Sequence, residues 1–277
     1  MENKKYLSNL ETALKMRESN GKIELKKESA LSSLSNLDFK KNVNALDEVR
    51  KKSSIIIKDV SEQLRKRETE LIFIIDASSS CEDYVETTKK GYDDLITARK
   101  NSVGITNVTT ALFSDKCRLV NYRKNINQVE KLKYFANGNT CFYDTLCKTI
   151  WQIRSETKNR GIVAIMTDGE DNSSIKYDIQ DVRRLISDCK KDDWIFLFFG
   201  RMLECDKVAE KLGIDNDHVV KIGESQSAVY NSFVSLTEAI NDIVVYGDIT
   251  YEWRTKAIEN SKESSKKLLL TDKKNNK

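Results

Sequence analysis

Proline is absent from all 277 residues, and there is one histidine, His218. Lack of proline removes the collagen-like, proline-rich and mucin-like classes. Six cysteines occur, at 81, 117, 141, 147, 189 and 205, and no two form a C-x-x-C pair. Zinc needs closely spaced Cys and His ligands, so a zinc site is not expected. Thiols this scattered in a chain of this size do not make a disulfide framework either, which leaves buried thiols in a reducing compartment. No run approaches 18 apolar residues, so no membrane helix is expected. The basic start, Met1-Glu-Asn-Lys-Lys, leads into no apolar signal core. A cytoplasmic protein is the expectation. Hydrophobic residues at 39% and charged residues at 32% suit a folded chain more than a disordered one.

Charge is split along the chain. The formal net charge is +4, yet residues 70–253 carry 23 Lys and Arg against 29 Asp and Glu, so the middle is acidic and both ends are basic. Basic ends suit solvated helix faces and a loose tail, or contact with nucleic acid or an acidic protein. Lys outnumbers Arg 34 to 13, whereas surfaces that read phosphate usually favour Arg forks. Opposite charges on core and ends also allow self-association, which salt would weaken.

Three regions follow from hydrophobic patterning. Residues 1–69 show apolar residues at helical spacing (Leu7, Leu10, Leu14; Leu31, Leu34; Ile57, Val60, Leu64) and predict a helical N-terminal extension. From Glu70 the pattern changes to short continuous apolar runs, each suited to a strand covered on both faces: 71–75, 108–113, 161–166, 194–199 and a weaker 218–222. Residues 117–122 follow the second run after a tight turn and predict an antiparallel edge strand. Helical stripes lie between the runs, at Phe142–Ile153, Ile179–Cys189 and Val229–Ile243, the last ending near Gly247. Strands alternating with helices predict an α/β fold, a doubly wound and mainly parallel six-stranded sheet over 70–247. Residues 248–277 predict a basic, flexible tail. Such a sheet binds its ligand at the carboxyl ends of its strands, which directs attention to the loops after Ile75, Phe113, Met166 and Phe199.

The first of these loops reads Asp76-Ala-Ser78-Ser-Ser80, a D-x-S-x-S pattern, and the loop after Met166 reads Thr167-Asp168-Gly169. Asn137-Gly-Asn-Thr140 lies between them, directly before an amphipathic stretch. Three loops thus offer carboxylates and hydroxyls with no nitrogen or sulfur ligand in the patterns. Hard divalent ions such as Mg2+ prefer all-oxygen sites and keep several waters.

The three motifs in this order resemble those of the von Willebrand factor A domain with a metal-ion-dependent adhesion site. Asp76, Ser78, Ser80, Thr140 and Asp168 fill the five positions of the pattern, and Asn137–Asp144 resembles the family's G-G-T-x-L-Y-D-A. The resemblance covers residues 70–247. Ala77 and Ser79 stand where glycines are more usual, and Cys81 where Met is frequent; none of these removes a ligand. The resemblance implies that Ser78, Ser80 and, in the ligand-ready state, Thr140 bind the ion directly. Asp76 and Asp168 would bind directly or through water and hold the hydroxyls. Asp115 and Asp144 are candidates for supporting positions behind them. It further implies Mg2+ as cofactor, with Mn2+ or Ca2+ as alternatives, and a protein partner that donates Asp or Glu to the ion. Intracellular relatives imply an adaptor beside an AAA ATPase, a kinase or another stress or defence component. Asp171 and Glu170 read as solvated.

Enzyme readings find little support. A haloacid-dehalogenase-type phosphatase needs a second Asp where Ser78 stands, and there is neither a G-x-S-x-G elbow nor a P-loop. The expectation is a non-enzymatic binding module. A nucleic-acid-associated protein using the basic helices and tail, and a metal-dependent phosphoesterase, are the alternatives.

Overall fold

The computed structural model describes residues 68–100, 105–201 and 204–259. The expected N-terminal helical extension lies, up to residue 67, outside the described residues. Strand β1 (Glu68–Asp76) contains the continuous run Leu71–Ile75, and its side chains divide by parity between two cores. Leu71, Phe73 and Ile75 join one cluster, and Ile72 and Ile74 join the other. An apolar residue at every position is what a strand needs when both faces are covered.

Around β1 the chain lays down helix α1 (Val85–Lys100), β2 (Ile105–Phe113), β3 (Cys117–Asn125), α2 (Phe142–Glu156), β4 (Arg160–Thr167), α3 (Ile179–Lys190), β5 (Ile195–Gly200), α4 (Cys205–Leu212), β6 (Val219–Lys221) and α5 (Gln226–Tyr246). The sheet order is β3-β2-β1-β4-β5-β6. All neighbours are parallel except β2 and β3. This is the six-stranded, doubly wound sheet with one antiparallel edge that the sequence predicts. Tyr92, Leu95 and Ile96 of α1 pack on one face with Phe233, Leu236 and Ile240 of α5. On the other face lie α2, α3 and α4, through residues such as Leu146, Ile150, Val182, Ile186 and Leu212.

Helix ends follow their local chemistry. Asp178 accepts from Gln180 and Asp181 N–H, and the Asp181 side chain accepts from Asp178 N–H, a reciprocal box at the start of α3. Helix α5 ends at Gly247, whose φ of 99° is open to glycine at little cost. The Arg160 guanidinium caps α5 further, through the Ile243 carbonyl at 3.1 Å and the Gly247 carbonyl.

The segment expected to be flexible from residue 248 is partly ordered. Residues 251–259 are helical. Trp253 and Ala257 are buried in the α1/α5 core, and the Trp253 Nε1–H donates to the Ser235 carbonyl at 2.6 Å. Sequence reading missed this because only three apolar side chains, Ile249, Trp253 and Ala257, spaced among polar neighbours, join this core. No helix among the described residues is long and apolar enough to cross a membrane.

Candidate metal centre

Parallel strands β1 and β4 lie side by side at the middle of the sheet, so the loops that follow them emerge together at its carboxyl edge. Asp76 closes β1 and is 2% exposed. Its Oδ1 accepts from Ser78 N–H at 2.9 Å, and its Oδ2 accepts from the Thr167 hydroxyl at 2.7 Å. The Tyr134 hydroxyl donates to the Asp76 carbonyl at 2.7 Å and fixes the end of the strand. Ser78 Oγ lies 3.1 Å from Ser80 Oγ, and the Ser80 hydroxyl donates to Asp168 Oδ1 at 2.9 Å. Four of the five residues singled out by the motifs thus form one connected group of oxygens.

Thr140 is placed differently. Its loop is stitched to the β1 loop, with Asn137 N–H on the Ala77 carbonyl at 2.8 Å and Ser79 N–H on the Gly138 carbonyl at 3.0 Å. Thr140 is buried, its N–H donates to Asn172 Oδ1 at 2.8 Å, and its carbonyl accepts from Asn172 and Ser173 N–H. Its hydroxyl is not hydrogen-bonded to any of the other four residues. Helix α2 begins two residues later.

The two aspartates expected behind the site hydrogen-bond to none of the five and act on neighbouring backbone instead. Asp115 accepts from Asn139 N–H at 2.9 Å and so braces the Thr140 loop. It packs so closely on Gly138 that a Cβ there would lie 2.4 Å from Asp115 Oδ2, and Gly138 also has a φ of 79°. A side chain at 138 is therefore doubly excluded. Asp144 accepts from the N–H groups of Ile175, Lys176 and Tyr177 and holds the loop after β4. Asp171, read as solvated, is instead a helix cap: it accepts from Tyr143 N–H at 3.0 Å and from Ser174. Exchange of caps between α2 and the 171–177 loop binds the Thr140 and Asp168 loops into one unit.

Burial dominates the electrostatics. It raises the Asp76 pKa above the ordinary carboxylate value, partly offset by the hydrogen bonds from Ser78 and Thr167, with the nearby Asp168 charge raising it further. Among the described residues no ion pair reaches Asp76. Asp168 does have a cation: the Arg201 guanidinium pairs with its carboxylate. Cys81 brings its thiol to Asp168 Oδ2 at 3.3 Å, and oxygens of Asp76 and Asp168 with this sulfur lie within 4.8 Å of one another. Burial first, then the neighbouring carboxylates, push the Cys81 thiol upward, so it stays protonated and donates. A protonated thiol is no ligand for a hard ion. A small cleft of about 40 Å3 lies against Asp76, Asp168, Cys81 and Arg201.

The donor set fits a hard divalent cation. Two carboxylates and two hydroxyls converge, one carboxylate is buried without a counter-charge, and no deprotonated sulfur or imidazole competes. Sequence reasoning found the oxygens and missed Arg201, although it pointed to the loop after Phe199. A lone Arg after a strand carries no motif.

No protein-family model matches the chain, and no curated protein matches its sequence. Several solved structures are similar in fold. The pilus adhesin SpaC of Lactobacillus rhamnosus GG, in an open conformation, is 14% identical with a TM-score of 0.49 over 64% of this chain. A von Willebrand factor type A protein of Catenulispora acidiphila is 18% identical with a TM-score of 0.41 over 63%. Manganese-loaded TRAP protein of Plasmodium vivax is 12% identical with a TM-score of 0.43 over 61%. This chain spans 30% of the first protein's length, 42% of the second's and 74% of the third's.

Proposed function

We propose that this chain is a divalent-metal-dependent protein-interaction module, with Mg2+ as its ion and Mn2+ or Ca2+ as substitutes in vitro. The observation that carries this reading is the convergence of the Asp76, Ser78, Ser80 and Asp168 oxygens on one point of the sheet's carboxyl edge. Ser78 and Ser80 hold the ion by neutral hydroxyls, Asp76 and Asp168 orient those hydroxyls and balance charge, and Thr140 stands on the adjacent loop to join them. An ion held largely by neutral oxygens keeps enough positive charge to take a carboxylate from another protein. An Asp or Glu of the partner is therefore the recognised group. The role is that of a cytoplasmic adaptor in a larger assembly, in keeping with the motif resemblance.

Binding without turnover is the better reading of the residues present. His218, the one imidazole, pairs with Asp248 at 2.9 Å beside β6, away from the oxygens. Cys81 is held as a neutral thiol. The one hydroxyl set on a carboxylate there, Ser80 on Asp168, meets a group already paired with Arg201.

The test is affinity capture on the immobilised full chain, with Mg2+ and with chelator, for the wild type and for Ser78→Ala/Ser80→Ala. Partners are expected with wild type in Mg2+ and in none of the other three arms. Equal retention in all four would refute metal-mediated capture. Phosphoester turnover lost in Asp76→Ala would replace the binding reading with the hydrolytic one.

A further inference from the structure

Arg201 is the first residue after β5, and its N–H donates to the Thr167 carbonyl at 3.0 Å, which sets it beside the Asp168 loop. Its guanidinium pairs with the Asp168 carboxylate and donates to the Ser80 carbonyl at 3.4 Å. The same group lies over the Tyr84 ring, Cζ 3.7 Å from the centroid. Tyr84 is itself anchored, its hydroxyl donating to the Glu224 carbonyl at 2.6 Å. Only 12% of the Arg201 side chain is exposed. This is a cation built into the site by a carboxylate, a carbonyl and an aromatic face, and not a solvated surface charge.

Its position conflicts with the proposed ion. Asp168 accepts from Ser80 through Oδ1 and meets the guanidinium through Oδ2, so both of its oxygens are engaged. A divalent ion seated on Ser78 and Ser80 would share this carboxylate with Arg201, and the two cations repel across it. Without an ion, two carboxylates lie close together and the guanidinium is paired with Asp168, so Arg201 limits their repulsion.

Resting on the metal-site reading above, we infer that Arg201 is a resident competitor of the divalent ion: it neutralises Asp168 in the ion-free protein, gives up part of that contact when the ion binds, and so sets the ion affinity. Tyr84 is the platform that keeps the guanidinium in reach. Removing the guanidinium then has two effects of opposite sign. The ion-free protein loses stability, and ion binding gains strength. A simple clamp that held Asp168 in its ligating pose would weaken both.

The experiment titrates Mn2+ into the full chain, followed by electron paramagnetic resonance, and records thermal unfolding in chelator. Arg201→Gln is expected to bind Mn2+ at least about tenfold more tightly than wild type, and to melt lower in chelator by about 3 °C or more. Tyr84→Leu alters no oxygen donor; it shifts Mn2+ affinity in the same direction by a smaller factor, and carries the comparison if Arg201→Gln does not fold. Equal or weaker Mn2+ binding by the variants, with binding by wild type intact, overturns the competitor role and leaves the metal site standing. Absence of Mn2+ binding in wild type overturns both.

Discussion

Asp76→Asn is expected to lower Mn2+ affinity by at least about 100-fold, more than the loss typical of groups that only orient a ligand, while raising the melting temperature of the ion-free protein at neutral pH. The two effects share one cause. Asp76 is a carboxylate buried without a cation, and burial raises its pKa above the ordinary value. A group whose folded-state pKa is raised contributes its full stability at low pH, where it is protonated in both states. That contribution is lost as pH rises through the raised pKa. Above that raised pKa the ion-free wild type carries a buried charge that a bound cation would offset. Asparagine keeps an acceptor for Ser78 N–H and places an amide against the Thr167 hydroxyl, so the hydrogen bonds survive without the charge. Chelator melts across the pH range above the ordinary carboxylate pKa check this. Wild-type stability should decline with rising pH, and Asp76→Asn should lack that part of the slope. A variant that binds Mn2+ as wild type does would remove Asp76 from the site.

At the opposite end of β1, Arg123→Ala is expected to cost about 3–5 kcal/mol, the penalty for stranding a buried charge. Glu70 is fully buried, and its carboxylate accepts from Arg123 Nη2 at 3.0 Å and Nε at 3.3 Å, with Asn107 and Asn159 amides at 3.3 and 3.0 Å. A bulge aims the arginine. The register of β2 and β3 shifts around Thr109, Arg123 takes a φ of 44°, and its N–H bonds the Thr109 hydroxyl at 3.0 Å. The guanidinium thereby reaches across β2 to the central strand. Urea unfolding should show a lower midpoint with an unchanged slope. Glu70→Met/Arg123→Met, which removes both charges, should recover most of the loss. A cost below about 1 kcal/mol for Arg123→Ala would mean that the pair behaves as an exposed one.

These two ends of β1 differ in how far the sequence exposes them. The ligating oxygens are legible because a strand, a turn and three short patterns place them by local rules, and because strands buried on both faces spell themselves as apolar runs. Arg201 and the Glu70–Arg123 pair are not, since each depends on a partner distant in the chain and on a bulge or strand end that has no spelling of its own. Helix α1 escaped for a related reason. Its inner face includes Gly91, where the Phe233 ring packs so tightly that a Cβ would lie 2.4 Å from Phe233 Cδ2, so the apolar stripe is interrupted where contact is closest. Helix α4 has eight residues, too short for its periodicity to stand out. The cap from Asp171 reads as solvated because an acidic turn looks the same whether it meets water or the N–H groups of a neighbouring helix.

The most direct test of a metal centre here is an anomalous difference map from crystals soaked in Mn2+. One dominant peak is expected within bonding distance of Ser78 Oγ and Ser80 Oγ, beside Asp76 and Asp168, with Thr140 near it and Arg201 drawn off Asp168. At saturating Mn2+, no peak among these oxygens, with the guanidinium still seated on Asp168, would contradict it.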